Sequence, residues 1–317
     1  MTIDVGIVLR QQDVEQHGTR LGSLTKAIAE AGIDHVTVGD HVSFEHGNGA
    51  DGLIQATALL ASHPSLPVQT GVYLLALRHP AVVARQLATL CSIAPGRLTF
   101  GVGLGGDDPR ELQLCGVDYR TRGARMDEAL TLVRAFLRGE PVDFHGRFFD
   151  VDGAVLRPAP DPVPPVIVGG RSDAALRRAG RLGEGWIGVW VSPQRFADAT
   201  ELVAQTAAAD GRDDVEWHHV LQLWAGFGAD PDSGRRRVAG AMERSYQIGF
   251  DRFERYVPAG TPDDVAEALV PYLERGCRRF NIVPEGESLE ACIEAVSAVK
   301  DRLDTVVVSR NTETTSG

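Results

Sequence analysis

The chain has 317 residues, of which 43% are hydrophobic and 24% charged, a composition typical of a folded globular protein. Its 43 acidic residues outnumber 32 Lys and Arg and give a net charge of −11, which argues against nucleic acid and anionic membrane as partners. No apolar run reaches the length of a membrane span, and the four cysteines form no C-x-x-C pair, so we expect a cytoplasmic protein with reduced thiols.

The first half of the chain alternates short apolar segments with helical patterns. Residues 3–9 have the composition of a buried strand, and apolar residues then recur with helical spacing over 21–31 before Gly32. The same patterns predict strands at 35–41, 67–75 and 97–105, alternating with helices at 51–62, 80–94 and 125–139.

The repeat is interrupted once and then resumes. Residues 141–165 contain aromatic residues around His145 and Gly146, which indicate a small hairpin, and five prolines follow them. After this insertion the patterns predict strands at 165–170, 185–191, 217–228 and 280–286, with helices at 172–183 and 193–210, in a long region ending at 276, and at 289–303.

Eight strand and helix units in one chain indicate a single fold. Nearly continuous apolar strands that alternate with helices imply a parallel sheet buried on both faces. Eight such units match an α/β fold, the (β/α)8 TIM barrel, here with an insertion between the fourth and fifth units. The alternative is an open doubly wound sheet with a second domain. We expect one domain over 1–308 and a disordered polar tail over 309–317.

Catalytic residues of such a barrel lie where its strands end, because the loops that follow the strands meet there. The second strand ends in Asp40 and His41. Histidine titrates near neutral pH, so His41 is the candidate general acid or base, and Asp40 is the candidate that tunes it. The alternative is that His41 only terminates the strand. The spacing of histidines and carboxylates predicts no metal site.

The fifth strand leads into a candidate anion site. Gly169 and Gly170 let the backbone approach a ligand closely, and Arg171 adds directed positive charge. Ser172 is placed to cap a helix whose first amides face the barrel mouth. The alternative is an ordinary glycine-rich turn between a strand and a helix.

The fourth strand carries the spacing of a dinucleotide fingerprint, G-x-G-x-x-G, at Gly101, Gly103 and Gly106. The fingerprint normally serves the first unit of a nucleotide-binding fold, whereas this one lies in the fourth, and the charge of Asp107 repels a pyrophosphate. We interpret Gly103, Gly105 and Gly106 instead as a slender strand end beside which a flat cofactor ring can lie.

A series of ordered blocks resembles one known family, the bacterial luciferase-like monooxygenases and reductases, and especially the branch that uses the deazaflavin coenzyme F420. The blocks are "AIAEAGIDHVTVGDHV", "TGVYLLALRHPAVVARQLATL", "GRLTFGVGLG", "RMDEALTLVRAFLRGEPVDFHGRFFDV" and "VIVGGRSDAALRRAGRLGEGWI". The resemblance covers most of residues 1–190 and returns at "GTPDDVAEALVPYLERG". It implies a TIM barrel with a flavin or deazaflavin at its C-terminal face and an insertion like the one predicted above.

The resemblance also implies roles for particular residues. Asp40 and His41 match the aspartate and histidine that provide the catalytic base in sugar-phosphate dehydrogenases of the F420 branch. Thr70 and Gly71 match the place where many members carry a cis non-prolyl peptide bond behind the cofactor ring, and residues 169–171 match the cofactor phosphate site.

One departure bears on the substrate. Those dehydrogenases carry a glutamate directly after the glycines of the fourth strand, whereas this chain has Gly106 and then Asp107. The departure argues against a sugar phosphate as substrate.

The sequence therefore predicts an F420-dependent oxidoreductase that exchanges a hydride with a small organic substrate while His41 transfers a proton. Phe44, Trp190, Trp224 and the insertion are expected to shape an apolar substrate pocket. Two alternatives stay open: an FMN-dependent monooxygenase that uses O2 and reduced flavin from a separate reductase, and a non-catalytic barrel that only binds. The family also implies a homodimer.

Overall fold

Eight parallel strands close into a barrel in the computed structural model, which describes residues 2–44, 47–105, 108–247 and 249–314. In their order around the barrel the strands are β1 (Asp4–Leu9), β2 (His35–Val38), β3 (Val68–Thr70), β4 (Leu98–Val102), β7 (Val166–Gly169), β8 (Gly185–Val189), β9 (Val220–Phe227) and β11 (Arg279–Glu285). Three short strands lie outside the closed ring: β5 (Val142–His145), β6 (Asp150–Ala154) and β10 (Ala259–Gly260).

The ring closes because β8 pairs with β9 and β1 pairs with both β2 and β11, all in parallel. The predicted TIM barrel is confirmed, and an open doubly wound sheet is not formed. The helices are α1 (Gln11–His17), α2 (Leu21–Glu30), α3 (Gly52–Ser62), α4 (Pro80–Ile93), α5 (Pro109–Leu114), α6 (Arg122–Leu137), α7 (Asp173–Leu182), α8 (Pro193–Ala209), α9 (Pro231–Tyr246), α10 (Pro262–Glu274) and α11 (Leu289–Thr314). Within the described ranges, no helix combines the length and apolar character that a membrane span needs.

Successive residues of the barrel strands face different layers, as the two-residue period of a strand requires. On β7, Val166 and Val168 belong to the large core that the helices cover. Ile167 between them packs instead with Ile187 and Val220 in a separate small cluster. The strands are therefore buried on both faces, which explains their nearly continuous apolar sequences.

The insertion between the fourth and fifth units is an antiparallel hairpin of β5 and β6, as the sequence predicts. Its Phe149 is buried beneath the Arg125 guanidinium, which lies 4.6 Å from the ring centroid, and against the edge of His79 at 5.5 Å. The hairpin thus packs on the starts of α4 and α6.

Several boundaries differ from the sequence prediction. Strand β2 ends at Val38 rather than at residue 41, and β4 ends at Val102 rather than at residue 105. Strand β3 ends at Thr70 rather than at residue 75, and the long helical region before 276 divides into α9 and α10 with β10 between them. Helix α11 continues to Thr314, into the stretch for which a disordered tail is predicted, and residues 315–317 lie outside the described part of the chain.

Candidate active site

Two adjoining cavities open at the carboxyl ends of the barrel strands. The larger cavity has a volume of about 340 Å³ and the smaller about 260 Å³. Their walls share six residues: Gly39, Asp40, His41, Phe44, Gln222 and Tyr246. The position agrees with the rule that the loops following the strands build the active sites of TIM barrels.

His41 lies on the wall shared by the two cavities and is held by Glu111 of α5. Its Nδ1 atom is 3.2 and 3.3 Å from the two carboxylate oxygens of Glu111, and its ring stacks on Phe44 with centroids 4.4 Å apart. The side chain of His41 remains 38% exposed, whereas that of Glu111 is 1% exposed. The imidazole is therefore fixed on one side and accessible on the other.

Glu111 is held as a carboxylate in a buried position. One of its oxygens accepts hydrogen bonds from the backbone amides of Val42 at 2.6 Å and Ser43 at 3.1 Å. Burial alone would raise the pKa of Glu111, but the hydrogen bonds from His41, Ser43 and Val42 lower it below its usual value. The negative charge persists at neutral pH, so it accepts the Nδ1 hydrogen of His41.

Asp40 is occupied by a different set of partners. Its two oxygens accept hydrogen bonds from the amides of Gly52 at 2.9 Å and Leu74 at 2.8 Å and from both terminal nitrogens of Arg78 at 2.5 and 2.9 Å. Burial raises the pKa of Asp40, opposed by Arg78 and by the two amides. The carboxylate therefore joins the loop after β2 to the segments after β3, and its oxygens face these partners rather than the His41 ring.

Glycines form much of the wall of the larger cavity, and they make room chiefly for Val72. A Cβ atom at Gly103 would lie 2.4 Å from Val72 Cγ2, and one at Gly169 would lie 2.8 Å from Val72 Cγ1. Gly71, Val72 and Gly105 line the same cavity. Gly103 and Gly169 leave space beside the strand ends, as predicted. That space is filled by Val72, a side chain of the protein itself.

The far end of the larger cavity is the start of α7. Gly169, Gly170 and Ser172 line it, and Ser172 Oγ accepts the amide of Ala175 at 3.3 Å, which confirms the predicted cap. Arg171 is exposed and its guanidinium lies 5.4 Å from the centroid of the Trp190 indole, which also lines the cavity. Amides at a helix N-terminus next to an arginine suit a phosphate group.

The smaller cavity combines aromatic and uncharged polar groups. Trp224 and Tyr246 contribute aromatic surface, and Tyr246 packs at 5.3 Å against Trp190 of the larger cavity. Arg10 also lines it, but its guanidinium is paired with Glu285 and, at 3.3 Å, with Asp13. The only described ionic groups on this wall besides His41 are Arg10 and Asp40, and each already has an opposite charge beside it.

The profile of the luciferase-like monooxygenase family matches residues 4–263. The chain belongs to this family. An F420-dependent glucose-6-phosphate dehydrogenase of Nakamurella multipartita is 35% identical to it over 84% of this chain and 87% of the relative.

Solved structures of other luciferase-like proteins share the fold. An F420-dependent secondary alcohol dehydrogenase, solved with an F420–acetone adduct, superposes with a TM-score of 0.83 at 20% identity and covers 96% of this chain and 99% of its own. The oxygenating constituent of 3,6-diketocamphane monooxygenase from a Pseudomonas putida plasmid, solved with FMN, superposes with a TM-score of 0.76 at 16% identity over 96% and 99% of the two chains. These likenesses show that the chain has the same TIM-barrel fold as these proteins.

The structure separates the predicted site residues of this luciferase-like barrel into two groups. Those that line a cavity are Asp40, His41, Gly71, Gly103, Gly105, Gly169, Gly170 and Ser172. Thr70 lies behind the wall, where its hydroxyl donates to the Gly101 carbonyl at 2.7 Å. Arg171 lies at the rim, and Gly106 and Asp107 lie outside the described residues.

Two expectations from the sequence analysis need correction. The cis non-prolyl peptide joins Gly71 to Val72, one bond later than the predicted position at Thr70 and Gly71. The insertion over 141–165 contributes no described residue to either cavity, because its hairpin packs on α4 and α6. Phe44, Trp190 and Trp224 do line the cavities, as predicted.

Sequence reasoning missed Glu111, Gln222 and Tyr246. Glu111 follows Pro109 in a short helix after the fourth strand, so its place in a loop at the catalytic end was a usable signal. Gln222 is a polar residue within an apolar strand, and this interruption was a second usable signal. Tyr246 ends a long helix, and nothing local connects it to the barrel mouth.

Proposed function

We propose that this chain is an F420-dependent oxidoreductase that exchanges a hydride between the deazaflavin and a small, uncharged organic substrate. The observation that supports it best is the pair of His41 and Glu111 on the wall shared by two adjoining cavities. One cavity has the groups that a flat ring with a phosphate-bearing tail needs, and the other has the size and polarity of a small-molecule pocket.

The residues of the larger cavity fit the cofactor. A cofactor ring could lie against the cavity wall formed by Gly71, Val72 and Gly105. A Cβ atom at Gly103 would displace Val72 from this wall. Gly170, Ser172 and the first amides of α7 would hold the phosphate, and Arg171 at the rim would add positive charge. When bound, the deazaflavin supplies hydride transfer at its central ring carbon.

His41 would transfer the proton that accompanies this chemistry. Because Glu111 accepts its Nδ1 hydrogen, the neutral ring presents the lone pair of Nε2 to the cavity and acts as a base. The protonated ring is stabilised by the same carboxylate and acts as an acid in the reverse direction. Asp40 would be a positioning residue, since it fixes the loop that carries His41.

The substrate we propose is a neutral alcohol or carbonyl compound with apolar surface. A phosphorylated substrate needs a cation that is free to pair with it, whereas Arg10 on the smaller cavity wall is already paired with Glu285 and Asp13. Trp224 and Tyr246 offer apolar area instead. This agrees with the loss of the glutamate that sugar-phosphate dehydrogenases carry after the fourth strand.

An FMN-dependent monooxygenase is the second candidate. The FMN-containing 3,6-diketocamphane monooxygenase constituent has the same fold over nearly the whole chain, and FMN carries a similar ring and phosphate. Such an enzyme would need a separate reductase.

A homodimer and a cytoplasmic location are further parts of the proposal. Light scattering would test the homodimer, and cell fractionation would test the location.

Cofactor binding tests the proposal directly. Titration of the purified protein with F420 and with FMN, followed by fluorescence quenching, should give a dissociation constant for F420 in the micromolar range or below and weaker binding of FMN. A screen of alcohols and carbonyl compounds that follows F420 absorbance then finds the substrate class. Tight FMN binding without F420 binding would support the monooxygenase, and binding of neither would support a non-catalytic barrel.

The role of His41 is tested with the substrate that the screen identifies. The His41→Asn variant should lose most turnover while its F420 dissociation constant stays within a few-fold of the wild type. His145→Asn, in the exposed hairpin outside both cavities, is the matched control. Full turnover of His41→Asn would contradict the assignment.

A further inference from the structure

A row of hydrogen-bonded polar side chains links four strands, β1, β2, β11 and β9, through the barrel and ends at the cavities. His35 Nδ1 is 2.6 Å from Asp4 Oδ1, and His35 Nε2 is 2.7 Å from Asn281 Oδ1. Asn281 Nδ2 donates to Gln222 Oε1 at 3.4 Å. Gln222 lines both the larger and the smaller cavity, so the row joins the amino-terminal end of β1 to the candidate active site.

The backbone is shaped to accommodate this row. A Cβ atom at Gly6 would lie 2.2 Å from His35 Nε2, so only glycine leaves space for the imidazole at that point of β1. A Cβ atom at Gly71 would lie 2.8 Å from Gln222 Oε1. His35 is 1% exposed and Asn281 is fully buried, and buried polar groups persist where their hydrogen bonds are satisfied.

The first member of the row is an anion. Burial alone would raise the pKa of Asp4, but His35, Arg279 and Lys300 lower it below its usual value. Asp4 Oδ2 lies 3.2 Å from Arg279 Nε. Asp4 Oδ1 can therefore only accept a hydrogen bond, and His35 must donate it from Nδ1.

The orientation of the Asn281 amide sets the direction of the next bond. Its carbonyl oxygen lies 2.7 Å from His35 Nε2, so its amide nitrogen is directed at Gln222. That nitrogen donates to Gln222 Oε1. This leaves Gln222 Nε2, which has no hydrogen-bond partner among the described residues, as the group available to the cavities.

We propose that Gln222 is a cofactor-binding donor, oriented by Asn281 and His35, that gives an amide hydrogen to a carbonyl oxygen or ring nitrogen of the bound tricyclic ring. Deazaflavin and flavin rings both present such acceptors. His35 and Asn281 are positioning residues in this account, since they act through Gln222. The cofactor identity rests on the proposed function, whereas the direction of the hydrogen bonds does not.

The direction is tested in the protein without cofactor. Nitrogen-15 NMR of asparagine-labelled protein, with Asn281→Asp used to assign the signals, should show nuclear Overhauser effects from the Asn281 side-chain amide hydrogens to the Gln222 side chain. Overhauser effects from those hydrogens to the His35 ring would overturn the proposal, because Asn281 would then turn its amide nitrogen to His35 and Gln222 would present its carbonyl to the cavities.

The donor role is tested by F420 binding. Gln222→Glu replaces the donor with an acceptor of the same shape and should raise the F420 dissociation constant about tenfold, the value of one hydrogen bond. Asn281→Asp should do the same, because both oxygens of the introduced carboxylate accept and Gln222 must turn its amide nitrogen toward them. Gln205→Glu, on the exposed face of α8, is the charge-matched control.

A double-mutant cycle separates positioning from packing. Asn281→Asp should add no further loss in a Gln222→Met background, because the group it orients is gone. A full additional loss there, or an unchanged dissociation constant for Gln222→Glu, would overturn the proposal while wild-type F420 binding leaves the proposed function intact. If the wild type binds FMN and not F420, the proposed cofactor is wrong, and the same variants measured with FMN decide the role of Gln222.

Discussion

Replacing Asp40 with asparagine should destabilise the fold, because it removes the buried charge that fixes the loop carrying His41. The carboxylate is fully buried and accepts four hydrogen bonds, two from backbone amides and two from Arg78. Asparagine has one oxygen, so its NH2 group would face either a backbone N–H or the guanidinium, and neither can accept from it.

The structure sets the size of the effect. Removing one partner of a buried ion pair costs about 3 to 5 kcal/mol. Arg78 is 16% exposed and keeps Asp51 at 3.5 Å, so we expect the lower end, about 3 kcal/mol. For a chain of this size the corresponding fall in Tm is roughly 5 °C.

Urea unfolding of the cofactor-free protein, followed by circular dichroism, measures this loss. Asp301→Asn, at an exposed position of α11, makes the same charge change and should stay within about 0.5 kcal/mol of the wild type. The double variant Asp40→Asn/Arg78→Met should lose less than the sum of the two single variants, because each single change leaves a buried partner unpaired.

Two results would refute this reasoning. A loss below about 1 kcal/mol for Asp40→Asn would mean that the buried pair does not hold the loop, and strict additivity with Arg78→Met would mean that the two residues act independently. If Asp40 instead took part in proton transfer, the variant would change the pH profile of turnover while its stability stayed near that of the wild type.

Three further outcomes follow from the structure. Glu111→Gln removes the charge that holds the His41 imidazole, the proposed proton donor and acceptor, so turnover should fall about tenfold to a hundredfold with little change in the F420 dissociation constant. Gly103→Ala places a Cβ 2.4 Å from Val72, so urea unfolding should show a loss of about 1 to 3 kcal/mol and F420 titration weaker binding, unlike Gly22→Ala, whose Cβ has 3.6 Å of space. Burial lowers the pKa of His219 to about 4, so the unfolded chain binds more protons below pH 6.5; stability should fall by about 2 kcal/mol from pH 7 to pH 5, and His219→Gln should remove this component.

Much of the architecture is local and was therefore predictable. The alternation of apolar strands and amphipathic helices is a periodic property of the chain, and it indicated eight units, the interrupting hairpin and the end of the barrel that carries the site. The cap at Ser172 depends only on its own helix, and it is formed as predicted. His41 was identifiable as a candidate because it lies in the loop after the second strand, at the end of the barrel where active sites form.

The partners of those residues required the folded barrel. Asp40 and His41 are neighbours in the sequence, yet His41 contacts Glu111, 70 residues later, and Asp40 binds Arg78. Adjacent residues at a strand end point in different directions, so sequence neighbours are poor candidates for a shared site.

The sequence by itself determined a TIM barrel of the luciferase-like kind, with His41 at its mouth and a glycine turn leading into a capped helix. Only the tertiary structure decided that Glu111 holds the imidazole and that Val72 fills the space beside the strand glycines. It also decided that hydrogen bonds connect His35 to Asn281 and Asn281 to Gln222. The physical reason is that periodicity and caps are set within one element, whereas these contacts arise between strands and loops that the closed barrel brings together.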